Sequence, residues 1–179
     1  MKLETKRLVL RELKDSDAKC LVENLNDLEV SKNLHSIPYP FSDIDAKLKI
    51  DYAKNEIKKD RENYELGIEY KGQLIGIVSL HMLNKIQGNC FLDYWIGKKY
   101  WRKGIIFEAT SALIIFGFTK LQLKTIESAP FADNIASKKL LEKLGFKKRF
   151  FISKKDKSNA DNKVHDVQTY ILTKEGWVE

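Results

Sequence analysis

The stretch Asp93-Tyr94-Trp95-Ile96-Gly97-Lys98-Lys99-Tyr100-Trp101-Arg102-Lys103-Gly104-Ile105-Ile106-Phe107-Glu108-Ala109 reads as three pieces. Asp93 to Ile96 completes an apolar strand that ends at Gly97. Lys98 to Lys103 is a short basic turn. Gly104 opens an apolar helix. A helix start carries backbone N–H groups without intrahelical partners and the positive end of the helix dipole. With Arg102, Lys103 and a glycine at that point, the turn is a candidate phosphate cradle. A strand–turn–helix with two basic residues is also the form of an ordinary connection, so the flanking sequence has to choose.

On the N-terminal side lies a clear hairpin. Tyr64, Leu66, Ile68 and Tyr70 alternate, Lys71-Gly72 makes the turn, and Leu74 to Leu80 forms the return strand with His81 at its end. A second turn, Asn84 to Asn89, leads into the strand Cys90 to Ile96. On the C-terminal side the helix from Gly104 to about Lys120 is apolar almost all round, so it is covered on most sides. Lys124 to Ala129 reads as a short buried strand, stopped by Pro130. A helix starting at Asp133-Asn134 turns Ala136, Leu140, Leu141 and Leu144 inward and stops at Gly145. Phe146, Phe150 and Ile152 suggest a strand. Ser153 to Asn162 is a polar hairpin loop, mobile by composition, before the last strand at Val164 to Leu172.

Upstream, Arg7 to Glu12 alternates as a first strand with Leu8 and Leu10 on one face. Asp15 is the N-cap expected for a helix bearing Ala18, Leu21, Val22 and Leu25. Glu29 to Phe41 becomes irregular toward Pro38 and Pro40. Ser42 and Asp45 form a capping-box-like start for a helix to about Asp60, with Ile44, Leu48, Tyr52 and Ala53 as its apolar face.

The order β-α-α-β-β-β-α-β-α-β-β predicts an α/β (α+β mixed-sheet) fold, one domain over residues 1–179, with helices on both faces. Cys90 to Ala129 would be a right-handed crossover between parallel strands. Ligands of open sheets bind at the carboxyl ends of parallel strands, and the basic turn falls there. The formal charge of +7, from 32 Lys+Arg against 25 Asp+Glu, suits an anionic partner. No aromatic RNA motif, zinc-finger spacing or other metal-ligand pattern is present. No apolar run reaches the roughly 18 residues of a membrane span, and no signal-peptide core is present. Cys20 and Cys90 lack motif spacing, so two free thiols in a cytoplasmic protein are expected.

With these residues in view, the chain resembles the GNAT superfamily of acyl-CoA N-acyltransferases, closest to its ribosomal-protein N-terminal (alanine/serine) acetyltransferase branch. The similarity is carried by Leu3-Glu-Thr-Lys-Arg-Leu-Val-Leu-Arg11, Tyr94-Trp-Ile-Gly97, Tyr100-Trp-Arg-Lys-Gly104, Glu108-Ala109 and Asn134-Ile-Ala-Ser137 running on to Lys143-Leu-Gly-Phe146. It covers nearly the whole chain. The resemblance implies a GNAT-like fold with a splayed central strand pair, and acetyl-CoA as acetyl donor. Backbone groups near Trp95, Ile96 and Gly97 would pair with the pantetheine arm. The turn Trp101, Arg102, Lys103, Gly104, Ile105 and Ile106 would hold the pyrophosphate. The family turn has Gln or Arg first, Gly in the middle and Gly or Ala last. Trp101 and Ile106 depart from that pattern and Gly104 keeps it. Asn134 would contact the cofactor arm or cap its helix, and Ser137 would donate to the departing sulfur. Many relatives carry Tyr at the position of Leu141.

An amine must lose a proton before it attacks a thioester. Some relatives place Glu at the position of Phe91. Asp93, two residues on, shares that face of the strand and is the candidate catalytic carboxylate or ammonium ligand. His81 is the runner-up base, and His35 a candidate acceptor contact. The acceptor expected is a protein or peptide N-terminal α-amine. The alternatives are a small amine such as a polyamine or aminoglycoside, or a catalytically inactive acyl-CoA or RNA-binding module. No membrane partner is expected, nucleic acid only indirectly through a ribosome, and either a monomer or a homodimer.

Overall fold

A computed structural model describes residues 1–58 and 63–177. The chain runs β1 (Lys2–Glu4), β2 (Leu8–Arg11), α1 (Ala18–Leu25), α2 (Leu28–Ser31), α3 (Asp43–Lys58), β3 (Tyr64–Tyr70), β4 (Gln73–Asn84), β5 (Asn89–Ile96), α4 (Ile105–Thr119), β6 (Thr125–Ser128), α5 (Ile135–Lys143), β7 (Lys147–Lys157) and β8 (Val164–Thr173). One eight-stranded sheet has the order β1-β2-β3-β4-β5-β6-β8-β7. Among the described residues only β5 and β6 pair in parallel; the other neighbours are antiparallel. The expected mixed sheet and crossover are therefore present, with an additional short edge strand, β1, and a one-turn helix, α2. Among the described residues no helix is long and apolar enough to cross a membrane.

Two apolar cores cover the two faces of the sheet. On one face Leu92 and Ile96 of β5 pack with Ile105, Ala109 and Leu113 of α4. On the other, Trp95 of β5 and Ile77 of β4 pack with Leu21 and Leu25 of α1 and Ile50 of α3. Period-two alternation along β5 thus sends odd-numbered and even-numbered side chains to different helical layers. The β3–β4 turn has positive φ at both Lys71 (51°) and Gly72 (78°), the backbone that matches the twist of a tight hairpin.

Three local expectations are corrected. The buried side of α3 is Ala46, Ile50 and Ala53, whereas Ile44, Leu48 and Tyr52 are 72%, 62% and 57% exposed. Small residues let α3 lie close to the layer beneath, and the bulkier stripe is turned outward. Its capping box does form: Ser42 N donates to Asp45 Oδ2 at 2.8 Å and Asp45 N to Ser42 Oγ at 3.3 Å. The expected end of this helix near Asp60 lies outside the described residues. Asp15 does not cap α1 but opens a 3-10 turn, and Asp17 accepts from Lys14 N at 2.7 Å while pairing with Arg11. Finally, β7 extends through Lys157 into the stretch read as a loop. The loop after it is docked rather than free, with Ser158 and Ala160 buried and Asn159 N donating to His35 C=O at 3.2 Å.

Candidate active site

The site begins where β5 and β6 part. β5 pairs with β4 from Phe91 to Ile96, but with β6 only at Asn89, Cys90 and Phe91. Ser128, the last residue of β6, donates its hydroxyl to Leu92 C=O at 2.9 Å. Past that bond the sheet opens. Gly97 N donates to Ile75 C=O at 2.9 Å, and antiparallel pairing alternates. Trp95 and the Gly97 N–H therefore turn toward β4, the Gly97 carbonyl accepting instead from Tyr100 N at 2.9 Å, while Tyr94 and Ile96 turn their backbone groups into the gap. Of the three residues expected to meet the pantetheine arm, only Ile96 has backbone groups in the gap, and Tyr94 joins it. The Ile96 carbonyl already accepts from Trp101 Nε1 at 2.9 Å, which leaves the Ile96 N–H and both Tyr94 groups.

The basic turn follows. Lys98–Tyr100 is one 3-10 turn. Arg102 and Gly104 have positive φ, 60° and 69°, so the chain reverses sharply before α4. Gly104 is the N-cap of α4 and has no side chain to cap it. The first backbone bond of the helix is Glu108 N to Gly104 C=O, 3.2 Å. The N–H groups of Ile105, Ile106 and Phe107 are thus directed out of the helix end, an arrangement suited to phosphate oxygens. Ile106 is half-buried on the wall of the same cavity. Arg102 and Lys103 are exposed, and Lys103 Nζ donates to Lys99 C=O at 2.8 Å.

Arg7, which the sequence reading did not single out, fixes this turn. Its guanidinium donates to Lys103 C=O at 3.0 Å and pairs with Glu108 at 2.6 Å. Burial works against ionisation of Glu108, but hydrogen bonds from Thr5 and Arg7 outweigh it and hold the carboxyl below its ordinary range. Thr5 and Arg7 therefore brace the turn through Glu108 and the Lys103 carbonyl, a role visible only once β2 lies beside α4.

On the α5 side of the gap, Asn134 caps the helix: its Oδ1 accepts from Ser137 N at 3.1 Å. Ser137 Oγ lies 2.8 Å from the Tyr94 hydroxyl, which also donates to the Ser137 carbonyl at 3.3 Å. Burial raises the Tyr94 phenol well above its ordinary value, against the opposing effect of the Ser137 bond, so it remains a neutral donor. The sequence offers Tyr94 only as part of the Tyr94–Gly97 motif, with no role of its own. Strand alternation places its side chain opposite Asp93, but its meeting with α5 depends on the fold. Leu141 is fully buried in the core, so that position takes no part in the cavity.

On the α3 side, register aligns Glu65 with Ser79 and Ser79 with Asp93 across three adjacent strands. His81 Nε2 is 2.8 Å from Asp93 Oδ2, a close ion-pair contact whose ring N–H is not aligned for a regular hydrogen bond. Burial disfavours the imidazolium, but the Asp93 carboxylate, with Glu65 behind it, more than compensates and raises His81 above its ordinary value. Asp93 and His81 are thus brought together. His35 makes no contact with that pair, lying 3.6 Å from Asp156 and 4.4 Å from the Phe131 ring, but it lines the cavity that reaches Asp93 and Ser137.

Two cavities meet here. One, of about 670 Å³, contains the Trp101–Ile106 turn, the gap residues Tyr94 and Ile96, Asn134 and Ser137, and reaches Ser79 and Asp93. The other, of about 640 Å³, opens between α3 and the sheet and includes Leu48, Tyr52, His81 and Asp93. Since residues 93 and 94 point to opposite faces, a cavity holding Asp93 and Ser137 passes through the sheet. The arrangement can hold a polyanionic, amide-bearing ligand on one side and a cationic group on the other.

Known proteins match this architecture. A family model described as an acetyltransferase (GNAT) domain matches residues 7–147. N-acetyltransferase p20 of Bacillus licheniformis, itself uncharacterized, is 29% identical over 174 residues, covering 96% of each chain. The [ribosomal protein uS5]-alanine N-acetyltransferase of Escherichia coli (strain K12) is 30% identical over 190 residues, covering 99% of this chain and 93% of that one. The solved structure of RimL, a ribosomal L7/L12 alpha-N-protein acetyltransferase in complex with coenzyme A, shares the fold with a TM-score of 0.84 at 16% identity, over 97% of this chain and 98% of that one. The chain belongs to the GNAT acetyltransferase family and is an N-acetyltransferase.

Proposed function

We propose that the protein transfers an acetyl group from acetyl-CoA to the α-amine of a protein or peptide N-terminus by direct attack. The opening between β5 and β6 carries this reading: it joins a cavity ending at Tyr94 and Ser137 to one ending at Asp93 and His81. Backbone groups of Tyr94 and Ile96 offer strand-like hydrogen bonds to the amides of a pantetheine arm. The N–H groups of Ile105, Ile106 and Phe107 suit its pyrophosphate. Bound acetyl-CoA supplies an activated thioester. On the α3 side, Asp93 with His81 takes a proton from the acceptor ammonium, and the neutral nitrogen forms the C–N bond as the C–S bond breaks. The Ser137 hydroxyl, coupled to Tyr94, gives a proton to the departing sulfur.

An α-amine, with a pKa near 8 against about 10.4 for lysine, suits a modest base. A mouth lined by exposed Leu48 and Tyr52 fits a chain better than a bare polyamine. The activity named for the uS5-alanine relative adds support. The test is calorimetric titration with acetyl-CoA followed by thiol release over peptides with free or acetylated N-termini and a set of polyamines. Thiol release confined to free peptide N-termini is the expected result. Faster release with polyamines transfers the assignment to small amines. Binding with no release on any amine makes the protein an acyl-CoA-binding module.

A further inference from the structure

The reaction needs Asp93 and His81, but the row on which Asp93 lies has two more polar members that the chemistry above does not use. Glu65, Ser79 and Asp93 stand side by side on β3, β4 and β5, facing α3. At the strand spacing of about 4.8 Å, the outer two are roughly 10 Å apart at the backbone. Ser79 is only 8% exposed and its hydroxyl has no hydrogen-bond partner among the described residues, yet it lines both cavities. Glu65 turns one oxygen to Lys49 Nζ at 3.0 Å. Its other oxygen, Oε1, is shielded from solvent and has no partner. A buried polar atom without a partner costs about 1–3 kcal/mol. A carboxylate serving only to anchor Lys49 has no need of that cost.

We propose that Glu65 and Ser79, together with Asp93, form the seat for the acceptor's ammonium group, entered from the α3 side; this rests on the amine-acetylating reading above. A primary ammonium has three N–H donors and no acceptor. The row presents matching acceptors: the free Glu65 oxygen, the Ser79 hydroxyl and the Asp93 carboxylate. Charge agrees as well. Two carboxylates face one lysine, so with His81 neutral this set is one positive charge short of balance, which a single ammonium supplies. Lys49 then has a defined purpose. It occupies one oxygen of Glu65 and leaves the other free. The acceptor is held as the cation at Glu65 and Ser79, and its proton leaves at the Asp93 end of the row. Behind the ammonium the cavity passes Leu48 and Tyr52 of α3, so the next residues of the acceptor meet an apolar wall. The substrate class is a peptide with a free α-ammonium followed by apolar side chains.

The probes are a six-residue alanine–leucine peptide amide and its N-acetylated twin, titrated calorimetrically into protein saturated with CoA. The wild type is expected to prefer the free amine at least tenfold. Glu65→Gln should reduce that preference to within about twofold while leaving CoA affinity unchanged. Ser79→Ala, a smaller change, should lower it severalfold. Lys49→Gln should move it the other way, because Glu65 then has both oxygens available. Equal weakening by Glu65→Gln and Lys49→Gln overturns the proposal, since that is the signature of a purely structural ion pair. So does a wild type that binds both twins alike. Thiol release by the same proteins and peptides, with acetyl-CoA in place of CoA, separates the two ideas. Preference for the free amine without release defeats peptide acetylation and leaves the seat intact. Release by Glu65→Gln at the wild-type rate and KM defeats the seat and leaves acetylation intact.

Discussion

The Tyr94–Ser137 pair gives the sharpest test of the chemistry. Its 2.8 Å contact joins a buried phenol to a hydroxyl on the first turn of α5. A net hydrogen bond of this kind contributes about 1 kcal/mol to stability. Ser137→Ala leaves the phenol its second acceptor, the backbone carbonyl of residue 137 at 3.3 Å, so no buried group is orphaned and the fold should lose about 1 kcal/mol or less. The kinetic effect should be larger. General acid catalysis contributes about 10²–10⁴-fold, but a thiol with a pKa near 8.5 leaves easily and needs the least help. Turnover should therefore fall about tenfold to a hundredfold, or roughly 1.4–2.7 kcal/mol of barrier. Tyr94→Phe should do the same, and the double variant should be no slower than the worse single one, because both remove one relay. The assay is thiol release at saturating substrates beside acetyl-CoA affinity by calorimetry. Losses that multiply in the double variant refute the relay. A fall in acetyl-CoA affinity equal to the fall in turnover makes Ser137 structural.

Three further outcomes follow from the geometry. His81 is raised by Asp93, so its imidazolium contributes stability at low pH, below the unfolded value, and that contribution is lost as pH rises through the raised folded value; Asp93→Asn should move the titration of the His81 ring protons to lower pH, read by NMR with His81→Gln as assignment control, and carry the acid limb of kcat with it. A β-carbon on Gly97 would stand 1.9 Å from Asn24 Oδ1, so Gly97→Ala should lower Tm by several degrees and Asn24→Ala should recover part of that loss in the double variant. Gly104 has open space around a would-be β-carbon, the nearest atom being Arg7 Nη2 at 3.7 Å, but a φ of 69°; Gly104→Ala should thus cost about 1–2 kcal/mol from backbone strain alone and weaken acetyl-CoA binding more than it weakens acceptor binding.

Where the sequence was read correctly, local chemistry was sufficient. The Lys71-Gly72 turn, the Ser42–Asp45 box and the Gly145 stop, with φ of 89°, depend on residues adjacent in the chain. Where it was misread, the missing information was tertiary. Ile44, Leu48 and Tyr52 have the spacing of an apolar helix face, and periodicity cannot tell whether such a face meets the core or a cavity mouth. The β7–β8 loop is polar in composition, yet it is tied down by the backbone around His35. Tyr94 and Ser137 are 43 residues apart, and Arg7 is 101 residues from Glu108. Such pairs have no short-range signature.

The division of labour along β5 explains why so few residues suffice. In an unbroken sheet, side chains at 93 and 94 would be separated by a continuous layer of backbone hydrogen bonds, and groups on one face could not reach a reactant on the other. Parting of β5 from β6 after Phe91 removes that layer on one side only, while β4 continues to hold β5 in register. In the proposed reaction, adjacent residues then serve opposite ends: Tyr94 the departing sulfur and Asp93 the incoming amine. Because the strand is rigid, the two ends cannot drift apart, and proximity comes from the fold rather than from closure of a loop. Bridging of the gap by a ligand backbone also restores the bonds that Tyr94 and Ile96 lack, so ligand binding and completion of the sheet become the same event. Protection of the Tyr94 and Ile96 amides from hydrogen exchange should accordingly rise on addition of acetyl-CoA, while Trp95 and Gly97, already bonded toward β4, should change little; equal protection at all four would mean that the ligand does not lie along this edge.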